Sequence, residues 1–158
     1  MTDAAVERLD AERRRLDAFG VPLRRVAVGH ATVDLDAAEA AIRSSDRTKV
    51  IATGADDELL GGRTRIVTST DAETIVLLEP YTEGRLAASL ARFGHGPVVE
   101  YLEAEDDADV TAAAASAGIV LSARRPGPFG PQRLVVGGKP WGPHLILVDR
   151  SQAATIGS

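Results

Sequence analysis

The chain contains no cysteine, which excludes disulfide frameworks, thiolate metal centres and cysteine nucleophiles. Aromatic residues are scarce: one Trp, two Tyr and three Phe make up 4% of 158 residues. Basic residues are not interleaved with them, so single-stranded nucleic acid has no stacking platform. Positive charge is not in excess either, since 18 Lys and Arg face 23 Asp and Glu for a net charge of −5. A nucleic-acid partner would then need a local basic patch against the global field. No apolar run approaches the roughly 18 residues of a membrane span, and the polar N-terminus does not read as a signal peptide. A soluble cytoplasmic protein with no membrane partner is the expectation. The segment GADDELLGGRT lacks the Gly-Lys-Ser/Thr ending of a phosphate loop, and Gly94 and Gly96 lack the third glycine of a dinucleotide site. No Ser stands in a Gly-x-Ser-x-Gly elbow. What is present, 44% hydrophobic and 26% charged residues, is the composition of one globular domain with a core of its own.

Residues 2–18 read as a helix, capped by Thr2 or Asp3, with Val6, Leu9 and Leu16 along one stripe. Acids interleave with the Arg13, Arg14, Arg15 run, which therefore reads as a solvated helix face. Gly20 and Pro22 end the helix. A strand follows over 23–33, then a helix opened by Asp34 or Asp36 with Leu35, Ala38 and Ile42 on one side. Residues 49–53 suggest a short strand and 54–62 a loop, while 63–68 and 74–78 suggest a hairpin. The second half repeats this order. A connecting helix over 82–93 stops at Gly94, followed by a strand over 97–103 and an alanine-rich helix over 106–117. Strands over 119–122, 133–136 and 144–148 complete it, with a rigid loop at 126–131. The tail 151–158 has little to bury and is expected to be flexible.

The halves match at nearly constant offset. IVLLEP at 75–80 lies 70 residues before LILVDR at 145–150, and the strand around Ala27 lies 72 before that around Val99. Agreement of order, spacing and residue type points to duplication.

A repeated strand–helix–three-strand unit resembles the vicinal-oxygen-chelate superfamily, which includes glyoxalases, bleomycin-resistance proteins, extradiol dioxygenases and methylmalonyl-CoA epimerases. The likeness to the epimerase branch runs from about residue 24 to 149. It is carried by VAVGHATVDLDAA at 26–38, IVLLEP at 75–80, FGHGPVVEYLEA at 93–104, PFG at 128–130 and GPHLILVD at 142–149. The resemblance implies an α+β fold in which two tandem βαβββ units, about 23–80 and 95–150, form a half-open β cup. Residues 1–20 add a helix outside the match, and a homodimer is the common assembly. Family enzymes usually hold a divalent metal in the cup with one His, Gln or Glu from each of four strands. Counting from the matched motifs, those positions fall on Ala27, Val76, Val99 and Ile146, none of which offers a lone pair to a metal. The expectation is a metal-free cup with no cofactor. His30 points out of the cup by strand parity and His95 sits in a Gly-His-Gly turn, so a three-histidine centre with His144 is not expected.

The same parity places Gly29, Ala31, Thr74, Leu78, Tyr101, Glu103, His144 and Val148 inward beside those four. Small residues at 27, 29 and 31 would leave room for a ligand. His144 is then the candidate general base and Tyr101 the candidate donor to a developing enolate. The plain alternative gives His144 a backbone carbonyl and makes Tyr101 a wall residue. Ala27, Gly29, Thr74, Val76, Val99, Glu103, Trp141 and Ile146 are the candidate ligand contacts, with Glu103, near a strand end, read as solvated rather than catalytic. Asp56, Asp57 and Glu58 lie where epimerase relatives carry an acid–base carboxylate, but by themselves read as an acidic surface loop. Trp141 and Phe129 sit in Gly/Pro-rich loops that can cover a ligand or a subunit contact. Arg124 and Arg125 read as solvating a sheet edge.

Two functions stay open. One is a cofactor-free isomerase, epimerase, lyase or cyclase moving a proton next to a carbonyl. The other is a non-catalytic binder that sequesters a small molecule, as in the bleomycin-resistance branch. A metalloenzyme with ligands placed elsewhere is a third reading.

Overall fold

The computed structural model describes residues 3–104 and 110–149. Helix α1 (Asp3–Arg13) is followed by β1 (Leu23–Ala31), α2 (Leu35–Ser45), β2 (Val50–Asp57), β3 (Gly62–Thr68) and β4 (Ile75–Pro80). Helix α3 (Arg85–Phe93) links these to β5 (Gly96–Ala104), α4 (Val110–Ala117), β6 (Arg125–Gly127), β7 (Gly130–Leu134) and β8 (His144–Val148). All eight strands form one sheet in the order β2-β3-β4-β1-β5-β8-β7-β6. Exchanging β1 with β5, β2 with β6, β3 with β7 and β4 with β8 reverses that order onto itself. Two βαβββ units therefore meet back to back along the antiparallel β1–β5 pair, with parallel β1–β4 and β5–β8 pairs on either side.

Period-two patterning sets which face each strand buries. Ala27, Val76, Leu78, Val99, Tyr101, Leu134, Ile146 and Val148 share one apolar cluster on the concave side. Their neighbours in sequence face outward: Leu77 packs with Leu35 and Val67 under α2, and Leu102, Leu145 and Leu147 pack with Leu16, Phe19 and Ala114. Each large apolar side chain buried in these layers contributes roughly 1.5–3 kcal/mol. A bulge in β1 between Arg25 and Ala27 switches parity, which puts Arg24 beside Glu103 and Ala27 beside Tyr101. The Asp34 side chain caps α2 by accepting from the Ala37 N–H at 3.1 Å. Outside the cup, Arg13 of α1 donates to the nearly buried Glu100 at 2.6 Å and pins the N-terminal segment to β5.

Several expected boundaries shift. The first helix ends at Arg13 and continues as a 3-10 turn, Arg14–Leu16. Residues 54–57, read as loop, extend β2 to Asp57, because the ladder with β3 resumes at Asp57 and Gly62 after an irregularity. The expected rigid loop at 126–131 is the β6–β7 hairpin, where Pro126 sits on a three-residue edge strand opposite Pro131. The expected strand at 119–122 reduces to one bridge, Leu121 with Val135, and the connecting helix starts at Arg85 rather than 82. Thr2, the helix start at Asp106 and the tail 151–158 lie outside the described residues.

Candidate functional site

The cup is filled rather than vacant. Ala27, Val76, Val99 and Ile146, the four positions matched to family metal ligands, come together in the concave cluster with no solvent exposure. Gly29 leaves no room, correcting the expected cavity. A Cβ there would stand 2.2 Å from Val99 Cγ1 and 2.7 Å from Leu78 Cδ1, so the missing side chain is replaced by its neighbours' packing. Ala31 belongs to the same cluster, and Thr74 lies at the entry to β4, where its carbonyl accepts from the Val28 N–H. Leu60, from the β2–β3 turn, and Leu86, from α3, are also fully buried in the cluster, with Leu59, Leu90 and Phe129 packed against it. The two are tied together where the Leu86 N–H donates to the Leu60 carbonyl at 2.9 Å. Across the remaining gap the Glu58 N–H donates to the Pro126 carbonyl at 3.2 Å, bringing the two outermost strands, β2 and β6, together.

Within this apolar interior stands a polar cluster. Tyr101 is wholly buried and its hydroxyl donates to Asp57 Oδ2 at 2.7 Å, with the Phe129 ring edge-on at 5.5 Å. Asp57 is equally buried, and its other oxygen accepts from the Leu60 N–H at 2.9 Å. Burial raises the Asp57 pKa, against the opposing pull of Gln132, the Leu60 N–H and Tyr101. The Tyr101 phenol is pushed well above its usual range by burial, then by the Asp57 charge and hydrogen bond. Gln132 is buried beside them, and neither its Oε1 nor its Nε2 closes a hydrogen bond of ordinary geometry among the described residues.

Parity in the sequence does not reveal Asp57, because the irregularity between Gly54 and Asp57 breaks the alternation of β2. The acidic surface loop expected at 56–58 is therefore split. Asp56 is exposed and accepts from Tyr81, Glu58 is exposed, and Asp57 turns inward. Gln132 did carry a signal, since it precedes the inward Leu134 by two residues on β7.

His144 lies on the same inner face as Tyr101, two ladder positions away: Val99 pairs with His144, Glu100 with Leu145 and Tyr101 with Ile146. The structure gives the two side chains separate partners. His144 Nε2 is 3.4 Å from the Ser89 hydroxyl, which itself lies 2.6 Å from the Trp141 carbonyl. Burial, then the nearby Arg85 guanidinium, lower the His144 pKa to about 4, with an Arg85 backbone hydrogen bond opposing them. The ring is neutral at pH 7. Gly142 admits this imidazole: its φ is +77°, and a Cβ would meet the ring at 2.9 Å. Glu103 is mostly buried and paired with Arg24, contrary to the solvated position expected, because the β1 bulge brings Arg24 alongside. Trp141 lies away from the concave cluster, between Arg92 and Lys139 at 4.8 and 5.6 Å. His30 and His95 face a cleft on the outer side of the sheet. Arg124 pairs with Asp149.

No family model matches the chain, and no curated protein matches it. Solved structures do. Methylmalonyl-CoA epimerase from Mycobacterium tuberculosis superposes with a TM-score of 0.64 at 20% identity, over 82% of this chain and 91% of that one. A variant of the Streptomyces coelicolor methylmalonyl-CoA epimerase, in complex with 2-nitronate-propionyl-CoA, gives 0.61 at 26% identity over 80% and 96%. A hypothetical protein from Bacillus halodurans gives 0.61 at 14% identity over 79% and 92%. The chain has the vicinal-oxygen-chelate fold. The concave face of this cup carries Tyr101, Asp57, Gln132 and His144. Among the described residues no helix is long and apolar enough to cross a membrane.

Proposed function

We propose that this chain moves a proton next to the carbonyl of a small organic molecule held in the cup, without a metal or other cofactor. The carrying observation is the buried Tyr101–Asp57 hydrogen bond on the concave face, two ladder positions from a neutral His144. Metal independence is supported by the fit of the residues: Ala27, Val76, Val99 and Ile146 supply alkyl groups alone, and alkyl groups do not ligate first-row divalent ions. Proton transfer then falls to the side chains. The uncharged imidazole of His144 has a lone pair to accept a proton from the carbon next to the carbonyl. Tyr101 is the donor to the enolate oxygen. Its one proton is engaged by Asp57, so donation requires Asp57 to be protonated, when the carboxyl O–H can donate to the phenol oxygen and release the phenol proton. Burial raises the Asp57 pKa in the direction this requires. Substrate enters by displacing Leu60, Leu86 and Phe129, and the cup then excludes water from the enolate.

The test is exchange of the α-proton in D2O, followed by NMR over a panel of acyl thioesters and 2-oxo acids. Wild-type protein exchanges at least one substrate class, and His144→Gln loses that exchange while retaining binding. Equal exchange by wild type and His144→Gln would reject the assignment. The neighbours support a small-molecule role: related complexes hold 2-nitronate-propionyl-CoA or methylmalonyl-CoA.

A second reading, a binder that sequesters its ligand unchanged, is favoured by one observation. Tyr101 and His144, on the inner face, each already have a protein partner. Recovery of chemically unaltered ligand after prolonged incubation supports that reading over catalysis. The partner expected in either case is a small molecule, with a second copy of this chain as the proposed assembly.

A further inference from the structure

We propose that the outer groove completed by α1 is a binding site for a small organic anion, distinct from the cup. Two adjoining cavities, about 440 and about 410 Å3, share Arg8 and Phe93 as their common wall. The first lies between α1 and α2 over the outer face of the sheet. Leu77, Pro97 and Val98 give it an apolar lining, and His30 and His95 stand beside them. The His30 Nε2 is buried and has no hydrogen-bond partner among the described residues. The second cavity carries Arg92, Lys139 and Trp141.

Charge decides the class of ligand. In a chain of net charge −5, Arg13, Arg24, Arg25, Arg63, Arg65 and Arg124 are each paired with a carboxylate. Arg8, Arg92 and Lys139 meet no carboxylate among the described residues. They are held over rings instead: Arg8 at 4.2 Å from Phe93, with Arg92 and Lys139 over Trp141. The carboxylate that lines the groove, Glu12, is engaged by Arg15. Three uncompensated cations therefore converge where an apolar recess begins. That combination suits a ligand with an apolar body over Leu77 and an anionic head on the guanidinium fork of Arg8. Carboxylates and phosphate monoesters share this chemistry. Because α1 lies outside the stretch that resembles the epimerases, the groove does not repeat the cup.

The test titrates the full chain at low salt with octanoate, octyl phosphate and neutral octanamide, using calorimetry and the fluorescence of Trp141, the chain's one tryptophan. At least one anion binds tenfold or more tightly than octanamide, and the better anion identifies the preferred head group. Arg8→Gln weakens that anion tenfold or more, Arg92→Gln and Lys139→Gln about threefold each, and Tyr101→Phe leaves it unchanged. Should Arg8→Gln fail to fold, the Arg92 and Lys139 variants decide alone. Octanamide binding as tightly as both anions, or affinity unchanged in the folded variants, overturns the proposal.

Discussion

The concave and outer faces of this sheet handle polar groups in opposite ways. Inside, Asp57, Tyr101, His144 and Glu103 are nearly or wholly buried and each has a partner, with buried Gln132 the exception among the described residues. Outside, Arg8, Arg92 and Lys139 stand over aromatic rings and find no acid among the described residues. The difference follows from solvation. A buried group without a partner costs the full desolvation penalty, whereas a half-exposed cation keeps water and tolerates the lack of an anion. Polar groups inside therefore hold the fold as well as any chemistry, while those outside are free to meet a ligand.

Four measurements sharpen or break that contrast. Leu86→Ala removes a fully buried side chain from the cluster that closes the cup. It is expected to lower unfolding free energy by about 2–5 kcal/mol in urea, and a change under 1 kcal/mol would show that α3 does not seal the interior. Next comes acid. The His144 pKa is lowered from 6.5 to about 4, so its contribution is fully present above pH 6.5 and is lost as pH falls toward 4. Relative to His144→Gln, wild-type protein loses about 3 kcal/mol over that window. Asp57 acts in the opposite sense, because its raised pKa favours the folded state as it protonates, and the paired difference isolates the histidine.

Tyr101→Phe keeps the ring against Phe129 but leaves Asp57 Oδ2 without its donor. The expected loss is about 1–3 kcal/mol at neutral pH. It should shrink as pH falls and Asp57 protonates, a change that its raised pKa moves to higher pH; an identical loss at every pH would show that the Tyr101–Asp57 bond does not answer to the Asp57 proton. The smallest effect belongs to the outer face. Arg8→Gln gives up one cation–π contact, about 0.5–1 kcal/mol. A larger stability loss would make the groove structural rather than a site of binding.

Much of the architecture is legible in the chain because period and repetition are strong where faces are buried. Leu77 and Leu78 sort to opposite sides of β4, and LILVDR echoes IVLLEP in the equivalent strand of the second unit. Legibility fails where a strand departs from its ladder. The bulge after Arg25 sets Arg24 beside Glu103, and the irregularity before Asp57 turns that carboxyl inward. Both sites depend on backbone offsets that residue type does not announce. The occupied space at Gly29 was illegible for another reason. A glycine shows that no side chain is present, but the branches of Val99 and Leu78 that fill the gap belong to distant strands. The outer groove arises in the same way, from α1 meeting the end of α3 far along the sequence.

Unequal seams also give the cup a direction in which to breathe. Neighbouring strands within the sheet are joined by ladders of at least three residue pairs. Between β2 and β6 the described backbone link is the single bond from Glu58 to Pro126. Separating those two edges would break that one described backbone bond and draw Asp57 of the first unit away from Tyr101 of the second. The gap would open beside Asp57 and Phe129, so the seam with the least described backbone bonding is also the one beside the wholly buried Asp57.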